Sequence, residues 1–232
     1  MRPIHFRTMT TGLLAFLAFA AGAAAQEKSS TAVLSRTELR ELVVAADTPA
    51  EHAQLRNHFA ALADRYAEDA KRHATMATAY GGNPNRFSGS DMAGHCKRLG
   101  NLATDLSKSA RDLAAHHDSL AAGAPSTAPA DPHRLHEGTG APIVMSDAKL
   151  RSLVAEASSP TEHGKLQEYF TTLAAKYTAD ADAHGAMAAA YRGTPRPGAS
   201  VAASHCDLIV AKAREAAAEA KALAAEHQKI AR

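Results

Sequence analysis

With 232 residues, 46% hydrophobic and 22% charged, the chain has enough apolar content for one compact domain. A formal charge of +2, no Trp and 5% aromatic residues argue against a basic stripe or a stacking platform, and so against nucleic acid as a partner. Two Cys and 13 His are left to carry chemistry.

Residues 1–25 read as a secretory signal peptide. Arg2 and Arg7 give a positive start, and Gly12 to Ala21 is an apolar run too short to span a bilayer. Ala23-Ala24-Ala25 offers a small-residue cleavage site before Gln26. The expected location is periplasmic or secreted, with no membrane insertion after cleavage. Loss of Arg2 and Arg7 leaves 24 Lys+Arg against 24 Asp+Glu, so the mature chain carries no net charge.

The rest of the chain says nearly the same thing twice. Residues 33–122 read onto 144–232 with an offset of 111 as far as Tyr80/Tyr191, and 110 from Ser90/Ser200 onward. In the first repeat, 26–122, Ser35-Arg36-Thr37-Glu38 is a capping box that opens a short helix to about Ala46. Thr48-Pro49-Ala50-Glu51 opens a long helix to Tyr80, which Gly81-Gly82-Asn83-Pro84 stops. Ser90 is the expected N-cap of a second long helix to about Ala121. Residues 123–145, rich in Pro, Gly, Ala, Ser and Thr, read as a flexible linker. The second repeat, 146–232, follows the same plan. A short helix runs from Ser146 to Ala157, then Ser159-Pro160-Thr161-Glu162 opens a long helix to Tyr191. Ser200 caps the last helix, which runs to Ile230.

His52, Leu55, Phe59, Leu62, Tyr66, Asp69, His73, Met76 and Tyr80 follow alternating steps of three and four, as a heptad seam does. His163 to Tyr191 repeats that seam, and Cys96 to Leu120 and Cys206 to Ile230 form two more. Nothing reads as a strand. The expected fold is all-α, a four-helix bundle of two duplicated long helical hairpins, each preceded by a short helix.

A seam should be apolar, yet this one carries His, Asp, Met, Tyr and Cys, and buried polar groups need partners. Counted from the hairpin turn, His73, Met76, Cys96 and His95 lie at similar depth, and His184, Met187, Cys206 and His205 match them. Imidazole, thioether and thiolate together suit copper, and less exclusively zinc or haem iron. Asp69 and Asp180, four residues before His73 and His184, are placed to orient those rings from outside the ligand set. His52 with His117, and His163 with His227, form a further layer roughly 30 Å away, where an interhelical His pair serves as well as a ligand. The sequence thus points to a metal-binding bundle for binding, storage or electron transfer. It carries no catalytic signature and names no protein partner. The alternatives are a structural or interaction module of the cell envelope with a Cys96–Cys206 disulfide, a bundle that holds haem noncovalently, and a pH sensor built on buried His.

Overall fold

A computed structural model describes residues 34, 36–83, 91–122 and 145–232. Residues 1–25, expected as a signal peptide, the expected capping residues Ser35 and Ser90, and nearly all of the expected linker lie outside the described residues. Within them the chain is entirely helical, with no strand: α1 Arg36–Ala45, α2 Pro49–Gly82, α3 Met92–Leu120, α4 Asp147–Glu156, α5 Pro160–Arg192 and α6 Ala199–Ile230. No described helix is long and apolar enough to cross a membrane.

Local chemistry sets the helix starts. The Thr48 hydroxyl accepts the Glu51 N–H, and the Glu51 carboxylate accepts the Thr48 N–H at 2.9 Å, so two backbone donors at the start of α2 find acceptors. Ser159 and Glu162 repeat this at α5. Ser200 is not the cap expected of it. The N-cap of α6 is Gly198, at φ 82°, a left-handed conformation that favours glycine. A Cβ on Gly198 would lie 2.4 Å from Cε1 of His116, so that ring would have to turn aside.

The long helices α2 and α3 pack together, as do α5 and α6, and α3 packs on α6. The buried seams of α3 and α6 are rich in alanine: Ala103, Ala110, Ala213, Ala216 and Ala220 expose no surface, which lets the backbones come close. α2 and α5 stand further apart, and long side chains span the gap. Arg65 Nη2 meets Asp180 at 2.5 Å, and Lys176 Nζ meets Asp69 at 2.7 Å. Climbing α2 from Arg65 to Asp69 means descending α5 from Asp180 to Lys176, so the two helices run antiparallel. His95 with Glu219, and Asp105 with Lys212, show the same for α3 and α6. Arg65 and Lys176 are repeat equivalents, as are Asp69 and Asp180. Each repeat therefore gives the other what it receives, and the repeats are related by an approximate two-fold.

That arrangement decides the fate of the thiols. Tyr80, at the end where Cys96 lies, bonds to His227, which is 21 residues along α6 from Cys206. At ~1.5 Å per residue, that puts roughly 30 Å between the two ends. A disulfide needs Cα atoms within about 7 Å. The Cys96–Cys206 bridge of the structural alternative is not formed: both thiols are free and buried.

Candidate functional site

His73, Met76 and Cys96 are almost fully buried, and so are His184, Met187 and Cys206. A Cβ on Gly100 would lie 3.7 Å from the Cβ of His73, so α2 and α3 are close at that level. Cys96 is one turn of α3 from Gly100, and Met76 nearly one turn of α2 from His73, both toward Tyr80. His73 Nε2 faces the Tyr177 hydroxyl at 3.5 Å. Its Nδ1 is buried without a hydrogen-bond partner among the described residues, and the same holds for Nδ1 of His184. Burial lowers the pKa of His73 to about 4 and of His184 to about 3, so both rings are neutral near pH 7. Burial also pushes the Cys96 and Cys206 thiols up to about 12.

The other expected members do not join this layer. His95 turns outward: its Nδ1 lies 2.6 Å from the Glu219 carboxylate and 2.8 Å from Nη2 of Arg98. Neighbours on a helix diverge, and with Cys96 inside, His95 serves α6 instead. His205 is half-buried near His116, whose pKa its charge helps to lower. Asp69 and Asp180 do not orient imidazoles. Asp69 takes Lys176 and, at 2.8 Å, Arg72; Asp180 takes Arg65 and the Tyr66 hydroxyl at 3.1 Å. A cation across the bundle is a stronger partner for a buried carboxylate than a neutral ring on its own helix. Burial works to raise the Asp69 carboxyl, but Lys176, Arg65 and Arg72 together hold it at about 2. Among the described residues, no three or more His, Cys, Asp or Glu side chains are placed to hold a metal ion.

The ends of the molecule hold two matching polar chains. At one end His52 Nδ1 meets His117 Nδ1 at 3.2 Å, and His117 Nε2 meets the Tyr191 hydroxyl at 2.8 Å. At the other, His163 Nδ1 meets His227 Nδ1 at 2.9 Å, and His227 Nε2 meets the Tyr80 hydroxyl at 2.7 Å. Phe59 stacks on His117 at 5.6 Å and Phe170 on His227 at 5.7 Å. Burial brings His117 and His227 to about 3, so each is neutral, donating from one ring nitrogen and accepting at the other. Each His–His–Tyr chain draws its tyrosine from one repeat and its imidazoles from the other. Beside the first lies a cavity of about 230 Å3 lined in part by His52, His116, Tyr191 and Arg196. Arg196 closes over it by pairing with Asp47 at 3.0 Å and donating to the Ala46 carbonyl.

Two further side chains belong to the interior chemistry. Among the described residues, His58 Nδ1 and the Tyr169 hydroxyl are buried without partners, as are the ring nitrogens of His184 and His73 and the Arg56 Nη2 and Arg65 Nε atoms. Positions 58 and 169 are repeat equivalents that differ in residue type, so a search for retained ligands passes over them. The signal that finds them is a polar residue at the same seam-flanking position in both copies. No protein-family model, no curated protein and no solved structure matches the chain. Function is therefore read from the side chains themselves.

Proposed function

We propose that this is an exported protein, its residues 1–25 removed as a signal peptide, that forms a four-helix bundle from two duplicated hairpins and binds a soft or borderline metal ion. Copper ranks before zinc. The two sites are separate, one built on His73 with Met76 and Cys96, the other on His184 with Met187 and Cys206. One observation carries the reading: at repeat-equivalent positions, two buried imidazoles each keep an Nδ1 with no partner. A buried polar atom left unsatisfied costs about 1–3 kcal/mol, and this chain keeps the arrangement in both copies. A neutral imidazole nitrogen is a ready ligand for copper or zinc. Among the described residues no three or more His, Cys, Asp or Glu side chains could hold a metal ion together, so this scheme takes the thioether as its further donor. Metal binding would release the thiol proton, so affinity weakens as pH is lowered and strengthens as it rises. The role that fits is metal binding, storage or electron transfer.

Copper titration of the full chain, followed by absorption, tests this. The expected result is a thiolate-to-copper band that saturates at two equivalents and loses half its amplitude in Cys96→Ala. Titration without a band, or with one indifferent to both cysteines, overturns it.

A second reading is a structural or interaction module of the cell envelope without metal. The end chains favour it, because His52, His117, His163 and His227 already satisfy one another and the tyrosines. Noncovalent haem has less support: both ring nitrogens of His117 and of His227 are already hydrogen-bonded, which leaves neither ring a free lone pair for an iron.

A further inference from the structure

The His–His–Tyr chain is the same at both ends of the molecule, but one end adds an imidazole that the other lacks. His116 stands where the second repeat has Glu226, whose carboxylate pairs with Lys229 at 2.7 Å. The chain at that far end is complete without a counterpart of His116, so such a chain does not require the extra ring. The His116 carbonyl accepts the Ser119 hydroxyl, and its ring stands edge-on to His117 at 5.2 Å. Among the described residues no hydrogen bond reaches either nitrogen of that half-buried ring.

His116 borders instead the cavity of about 230 Å3. Val43 of α1, Leu55 of α2 and Leu120 of α3 give it apolar walls, and His52, His116 and Tyr191 add polar groups to the lining. An apolar cavity of roughly 150 Å3 takes a benzene molecule, so this one has room for a single ring with a substituent. Arg196 covers it only from the rim: its side chain is 29% exposed and that of its partner Asp47 is 71% exposed. A surface ion pair of this kind is worth little, so it and one hydrogen bond to Ala46 are what must part for a ligand to enter. The rim charges balance each other. Burial lowers the pKa of His52, with Arg196 adding to it, and that of His116, with His205 adding to it. Near pH 7 both rings are therefore mainly neutral, and His116 offers one N–H and one lone pair. The lining holds no spare counter-charge for an ion.

We infer that this cavity is a binding site for a small neutral molecule with one apolar ring and a hydroxyl group. The hydroxyl bonds to His116, and the ring lies against Val43, Leu55 and Leu120. A mostly apolar pocket with a few placed polar groups is the usual form of a small-molecule site. The inference goes beyond the metal reading and needs no metal ion.

Calorimetric titration of the full chain at pH 7.5 with phenol, toluene and benzoate tests it. Phenol is expected to saturate at about one equivalent and to bind about fivefold or more tighter than toluene. That factor is the worth of one net hydrogen bond of about 1 kcal/mol. Benzoate, with a similar ring and a charge, should bind more weakly than phenol. His116→Phe keeps a ring against Gly198 but removes its polar edge, so it should erase the preference for phenol over toluene. Ala199→Phe fills the cavity from the start of α6 and should abolish binding of both. Thermal unfolding reports whether each variant folds; should either fail, the other and the three-ligand comparison in the wild type still decide. A wild type that binds no phenol, phenol bound no tighter than toluene or benzoate, or a preference that survives His116→Phe would each overturn the inference and leave the metal reading untouched.

Discussion

The charged residues between α2 and α5 show how much depends on single side chains. Arg65, Asp69, Lys176 and Asp180 are each at most 5% exposed, so each charge relies on its partner and not on water. Asp180→Ala leaves the Arg65 guanidinium buried and uncompensated, and is expected to cost about 3–5 kcal/mol in urea unfolding. Replacing both members, Arg65→Met with Asp180→Leu, should recover most of that loss. The neutral imidazoles make a separate prediction. His58, His73 and His184 have folded-state pKa values of about 3, about 4 and about 3, below the ordinary 6.5. As pH falls through 6.5 the unfolded chain takes up protons first. Their contribution is therefore whole above pH 6.5 and shrinks as pH falls toward the folded values. Between pH 6.5 and 5 this amounts to about 2 kcal/mol per imidazole. Asp69, held at about 2, affects only the range below about 4. Urea midpoints at pH 7.5 and 5 should differ strongly, and a flat profile would mean that these rings are not buried and neutral.

At the scale of the helices, the sequence is easy to read where one turn decides the outcome. Thr48 with Glu51 and Ser159 with Glu162 cap their helices as the motif says, because both partners are local. The start of α6 was not legible, because Gly198 is selected by a positive φ, and the ring of His116 from another helix lies against it. Gly198→Ala is expected to destabilise by more than about 1 kcal/mol, since it meets both obstacles. Adding His116→Ala should recover only part of the loss in thermal unfolding, because the backbone strain remains. Cys96 was legible as a seam residue, whereas His95 was counted into the same layer although neighbours on a helix diverge. That His95 would pair with Glu219 was not, because it depends on which helix α3 meets. The carboxylates misled for the same reason: Asp69 lies one turn from His73, but its partner is Lys176, across the molecule.

At the scale of the whole molecule, the antiparallel relation of the two repeats governs everything that follows. Periodicity finds the buried face of each helix but says nothing about how two such pairs face each other. Swapped pairing of Arg65 with Asp180 and Lys176 with Asp69 is what fixes the sense. Cys96 and Cys206 end up far apart, so a thiol assay on unreduced protein should find two reactive thiols after unfolding and almost none in the native state; a count of zero after unfolding would contradict this placement. Tyrosine from one repeat meets histidine from the other at both ends, which couples the halves into one unit and predicts a single cooperative unfolding transition. The measurement that bears most directly on the account is elemental analysis of the full chain purified from its native compartment, alongside His73→Ala/His184→Ala. Two equivalents of copper or zinc in the wild type and none in the double variant are predicted. A metal-free wild type, or a double variant that keeps its metal, would contradict it.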